Sequence, residues 1–242
     1  MRAAVVILMS LFTGVLAAQT LVNKNYPVAA GQKIFLHFDY PELVKISTWE
    51  KNEISISGSV SINGGENDDA FELTQTTSGN SINIENKIRN LKELPHRITI
   101  VRDGEKITFK SKADYQKYCE VNGRNFNQRS EGVDMDILLE VKVPKGSEVK
   151  LESVYGVVEV KNYTGPITVE ATYGGVDVTV PEKITGELTA ETNYGQIYSN
   201  LDLKLSGSEF ENFHTQISAK LGNGPKYNFE SQYGNVYLRK GL

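Results

Sequence analysis

Five glutamates recur at one offset. Counting back three residues from the aromatic of each Tyr-Gly pair gives Glu152, Glu170, Glu191 and Glu230. Glu211 joins them if His214-Thr215 is read as a diverged pair. A line of carboxylates can bind divalent cations or accept hydrogen bonds from a polar polymer such as a glycan. Thr168 and Thr189, two residues before two of the glutamates, would add hydroxyls to the same face. Calcium takes six to eight oxygens, so a flat glutamate column offers few per ion and would bind weakly. Like charges about 5 Å apart repel by roughly 0.9 kcal/mol in a water-like dielectric. The competing reading is a solvated polar face whose side chains splay apart.

Other chemistry is sparse. His37, His96 and His214 have no metal-ligand spacing, and the chain lacks a nucleophile elbow, phosphate loop or zinc signature. No catalytic residue, metal ligand or cofactor is assigned, and the expectation is a protein that is not an enzyme. A polysaccharide lyase or hydrolase, with Asp134 and Asp136 beside Glu140, is the enzymatic alternative. The stretch GGENDD (64–69) reads as an acidic surface turn, with a calcium loop as its alternative.

The elements that must carry the glutamates follow from the same alignment. The pairs Tyr155-Gly156, Tyr173-Gly174, Tyr194-Gly195 and Tyr233-Gly234, with His214-Thr215, recur about every twenty residues, the mark of a stacked repeat. Position −4 is always apolar (Leu151, Val169, Ala190, Phe210, Phe229), and so is +3 (Val158, Val176, Ile197, Ile217, Val236). The residues between are mostly polar, so the period is two and the elements are strands. One such unit cannot bury its own apolar face, but units stacked about 4.8 Å apart can. The expected fold is therefore all-β: a β-solenoid, a parallel β-helix with coils of about twenty residues. An antiparallel meander or sandwich is the rival. The corner glycines are expected at positive φ. The corner tyrosines are expected in a column that packs the corner, with an aromatic strip for sugars as the alternative.

The N-terminal half alternates less regularly, in KIFLHF, EISISGSVSI, AFELTQT and NSINIEN. Asp103-Gly104 marks a hairpin. SKADYQKYCEVNG (111–123) predicts one short helical insertion, with a Ser111–Asp114 capping box and a stop at Asn122-Gly123.

The run LLEVKVP, then YGVVEV, TGPITVEATYGGVDVTV and ETNYGQI, resembles the putative-adhesin family of bacterial exported proteins with β-strand repeats. The likeness covers residues 130–242 well and 30–100 loosely. It implies a right-handed β-helix and a cell-envelope setting, and it carries over no active-site residues.

The chain opens with Arg2, an apolar stretch from Ala3 to Leu16, and Ala17-Ala18 before Gln19, which reads as a signal peptide over 1–18. Irregular coils are then expected over 19–130 and regular repeats over 131–242. Cys119 is the only cysteine, so no internal disulfide is possible, and an inert buried thiol is expected. A net charge of −4 without a basic stripe argues against nucleic-acid binding. No segment after the leader is apolar enough to span a bilayer. These readings converge on an exported protein of the periplasm, outer-membrane surface or exterior, with an adhesive or structural role toward a cell-surface glycan or envelope protein. A periplasmic partner in envelope sensing or assembly is the alternative.

Overall fold

The computed structural model describes residues 19–181, 183–211 and 213–241, without the side chains of 206–211. The expected signal peptide lies outside the described residues. Alternation makes strands almost throughout. The first are β1 (Thr20–Pro27), β2 (Lys33–Phe38), β3 (Leu43–Trp49), β4 (Glu53–Ile62), β5 (Phe71–Ser78) and β6 (Ser81–Ile88). An insertion follows: β7 (Arg97–Arg102), β8 (Glu105–Phe109), helix α1 (Lys112–Asn122) and β9 (Gln128–Gly132). Strand β10 (Met135–Pro144) leads into the pairs β11 (Val149–Ser153) with β12 (Val157–Val160), and β13 (Ile167–Ala171) with β14 (Val176–Val180). Then come β15 (Glu187–Thr192) and β16 (Ile197–Ser199), a hairpin of β17 (Leu205–Glu211) and β18 (His214–Lys220), and the pair β19 (Tyr227–Ser231) and β20 (Val236–Lys240).

These strands build two large sheets and a small one, not a solenoid. One sheet runs β1-β4-β10-β3-β12-β14-β20-β16, the second β17-β18-β15-β19-β13-β11-β2-β6-β5, and the third β8-β7-β9. The two large sheets are mixed. Parallel ladders through β3-β12-β14-β20-β16 and β6-β2-β11-β13-β19-β15 are flanked by antiparallel β1-β4-β10, β5-β6 and β15-β18-β17. The expected β-helix fails on order as well as direction. A solenoid would set β15 on β13, but β19 lies between them and pairs with both. The reason is that each strand pair carries the same inward column. Val169 packs equally well beside Phe229, so the repeat dictates the cross-section and leaves the neighbour open.

The apolar columns land as the alternation requires. Leu151, Val169, Phe229 and Ala190 are in register in one sheet, and Val158, Val176, Val236 and Ile197 in the other. All but Ile197 are buried. Ile34, Leu36, Val44, Ile46 and Ile56 belong to the same core, which joins both halves of the chain. The 214 unit is the exception. Its residues form β18, antiparallel to β15, and Ile217 faces Ala190 across that ladder rather than joining the Val236 column.

Corner geometry differs from the expectation in its cause. None of Gly156, Gly174, Gly195 and Gly234 has positive φ. Neighbouring corners instead approach so closely that a Cβ on Gly174 would lie 1.9 Å from the Gly156 carbonyl oxygen, and one on Gly195 2.0 Å from that of Gly234. Where the residue two before the tyrosine carries an inward hydroxyl, it locks the approach, as Ser231 does for Gly234 on Gly174 and Thr192 for Gly195 on Gly234; before Tyr173 that position is Ala171. Ser231 Oγ accepts the Gly234 N–H (2.8 Å) and donates to the Gly174 carbonyl (2.8 Å). Thr192 Oγ1 accepts from Gly195 (3.0 Å) and donates to Gly234 (2.8 Å).

The insertion forms as its sequence predicts. Ser111 caps α1 by accepting the Asp114 N–H at 3.1 Å, and Gly123 ends it at φ 75°. Cys119 is buried with Tyr115, Phe109, Ile98 and Ile100 in a small separate core. Arg97 ties this layer to the body through Glu66 at 2.5 Å, and Lys106 does so through Asp134 at 2.8 Å.

Candidate functional site

Four of the five expected glutamates share one row. Parallel register puts Glu152 beside Glu170, Glu170 beside Glu230, and Glu230 beside Glu191. The order follows the strands in space, not the chain. Glu211 does not join: its backbone pairs with His214, and Glu209 occupies the register position beyond Gln216. Thr168 and Thr189 fall in a second row on the same face, on either side of Asn228.

The row is partly neutralised from residues far away in the chain. His37 sits next to Glu152 in register and is held by it (Nδ1–Oε2 3.0 Å) and by Asp39 (Nε2–Oδ1 2.9 Å). Two carboxylates around one imidazole call for a donor on both nitrogens, the imidazolium form. Burial works against that charge, but the bonds to Glu152 and Asp39 outweigh it and raise the His37 pKa. Lys150 bridges Glu152 (2.9 Å) and Glu170 (3.0 Å). Burial pushes the Glu152 carboxyl up, while Lys150 and His37 bring it net below its usual range. At the other end Glu191 is bonded by His214 (3.0 Å) and Gln216 (3.1 Å).

Glu230 is left between these pairs with no such bond among the described residues; burial first, then Glu191 and Glu170, raise its pKa. Among the described residues no group of three His, Cys, Asp or Glu side chains is placed to hold a metal. In the 64–69 turn, Asp68 is buried and accepts the N–H groups of Ile62 (2.6 Å) and Thr20 (3.2 Å). Its carboxylate closes the turn.

His37 was within reach of the sequence. Leu36, His37 and Tyr40 match positions −4, −3 and 0 of the repeat, with Pro41 replacing the glycine. A search for Tyr-Gly alone misses that sixth corner.

The corner tyrosines form one exposed column. Rings follow in the order Tyr40, Tyr155, Tyr173, Tyr233, Tyr194 and Phe213. The central contacts are 5.3, 5.2 and 5.1 Å between centroids, with planes within 11° of parallel. Each of the four Tyr-Gly tyrosines is about half exposed. Inside the column each ring face meets another ring, so what points outward is ring edges and phenol hydroxyls.

No protein-family model matches the chain, and no curated protein does. Among solved structures, a putative cell adhesion protein from Clostridium sporogenes is similar over 93% of this chain and 100% of its own, with 13% identity and a TM-score of 0.50. A putative adhesin from Bacteroides fragilis covers the same shares at 10% identity and a TM-score of 0.23. The first likeness is one of fold alone. Among the described residues no helix is long and apolar enough to cross a membrane.

Proposed function

We propose that the protein is an exported, non-enzymatic component of the cell envelope with an adhesive role, and that the tyrosine column is its contact ridge. The carrying observation is the column itself. Six aromatic rings stack along one corner with successive centroids 5.1 to 6.2 Å apart, and Tyr155, Tyr173, Tyr194 and Tyr233 are each about half exposed. Large contiguous exposed apolar patches mark interaction sites. The fold likeness to a putative cell adhesion protein supports the same reading. Ring edges and hydroxyls suit an envelope protein or polymer laid along the ridge, and the partly neutralised glutamate row would flank it.

The test is retention of the purified protein on native envelope, together with protease shaving of intact cells. Tyr173→Ser with Tyr233→Ser should lower retention at least fivefold while the melting temperature stays within a few degrees. Wild-type retention in that double variant removes the ridge from the reading. Complete protection from shaving would shift the role to a periplasmic partner in envelope sensing or assembly.

A further inference from the structure

A cleft of 450 Å³ opens where the column meets the insertion. It is lined by Tyr40 and Tyr155, by Lys106 and Asp134, and by the hydroxyl residues Thr99 and Ser130. We propose that this cleft is a binding site for a neutral pyranose, the terminal sugar of a glycan; the adhesive reading supplies only its biological setting.

Three observations carry the proposal. The first concerns ring faces. A sugar stacks by laying its C–H groups on the electron-rich face of an aromatic ring. Within the column those faces are taken, so its middle cannot serve. Tyr40 is the terminal ring: among the described residues its one ring neighbour is Tyr155, at 6.2 Å and 22°, a wider contact than the 5.1–5.3 Å inside the column. Phe213 ends the other side but stands 71% exposed.

The second concerns charge. The charged groups at the cleft are already paired: Lys106 with Asp134 at 2.8 Å, and Glu131 with Arg129 at 2.7 Å. An ionic ligand would find the charge of each group already offset by its partner. A neutral polyol can still bond to them, because a paired carboxylate keeps free lone pairs and a lysine has three donors. Thr108 already donates to Asp134 Oδ2 at 3.4 Å, which orients the carboxylate. The third is size: a few hundred cubic ångströms with aromatic walls and a few fixed polar groups is the usual make-up of a small-molecule site.

The experiment is saturation-transfer NMR on the intact mature protein with the methyl glycosides of glucose, galactose, mannose and N-acetylglucosamine as probes. At least one should give a saturable signal that the others compete for weakly. Tyr40→Leu should weaken that binding at least tenfold and Asp134→Asn at least fivefold, while Tyr40→Phe, which keeps the ring, stays within twofold of wild type. Tyr173→Leu, in the middle of the column, should also stay within twofold. The proposal is overturned if none of the four probes saturates, if Tyr40→Leu binds like wild type, or if Tyr173→Leu loses as much as Tyr40→Leu. Envelope retention is measured on the same variants. No saturable probe with retention by the ridge intact overturns the cleft alone, and unchanged retention in Tyr173→Ser/Tyr233→Ser with sugar binding intact overturns the ridge alone.

Discussion

At the residue scale, the glutamate row separates members that look identical in sequence. Glu191 is held by His214 and Gln216, whereas Glu230 faces two carboxylates. Glu230→Gln should therefore stabilise the protein at neutral pH and low salt, by on the order of 0.5 kcal/mol, and the gain should shrink as salt rises. Glu191→Gln should instead cost about 1 kcal/mol. Denaturant titrations in 10 mM and 500 mM salt check both. Because the folded Glu230 pKa is raised, its contribution is most favourable below the unfolded carboxylate pKa and declines as pH rises through the folded value.

His37 gives a second pH signature. Its folded pKa is raised, so the stability it adds is complete below about pH 6.5 and is lost as pH climbs through the folded value. Melting temperatures followed from pH 6 to 8.5 should fall for wild type. In His37→Gln that fall should be smaller; an unchanged slope would show that the imidazolium is not the titrating group.

At the scale of elements, the corner is the unit that repeats, and its glycine answers to crowding. Gly174→Ala should cost about 3 kcal/mol, because the new Cβ meets a neighbouring backbone oxygen that cannot move alone. Gly31→Ala, at φ 74° with open space around it, should cost nearer 1 kcal/mol. Equal losses in thermal melts would mean local conformation, not close approach, governs the corner.

Much of this level was legible in the sequence. The inward positions, the tyrosine column, and the cap and stop of α1 all follow from short-range spacing. Which strand lies beside which did not, because Leu151, Val169, Ala190 and Phe229 are interchangeable as neighbours. The partners of the glutamates were hidden for the same reason: His37 and Glu152 are 115 residues apart, and only the sheet order joins them. His214 did carry a warning, since the unit that lacks the corner tyrosine is the one that turns back as a hairpin.

At the scale of the molecule, the turn far from the tyrosine column is filled by two buried phenols. Tyr163 donates to the Ser147 carbonyl (2.9 Å) and Tyr227 to the Tyr163 carbonyl (2.8 Å). Burial pushes Tyr227 up to about 12 and Tyr163 higher still. The unfolded chain releases these protons near pH 10 while the folded one keeps them. Stability should then fall above pH 10 at up to about 1.4 kcal/mol per pH unit for each tyrosine. Tyr227→Phe should roughly halve that slope in alkaline denaturation.

The position of β19 and β20 has a consequence in time. They are made after β15 and β16, yet each lies between two strands made earlier. While the chain emerges in order, β13 and β14 present open edges that their nearest repeat in sequence must not fill. If β15 closed on β13 first, a register-perfect but wrong stack would form, and β19 would have no berth. Correct assembly thus depends on a wait, and long-range pairing of this kind folds slowly with its edges exposed. The antiparallel β17-β18 hairpin covers the outer edge of β15 in the meantime. It can keep that strand occupied on one side until the partner for the other side has been synthesised.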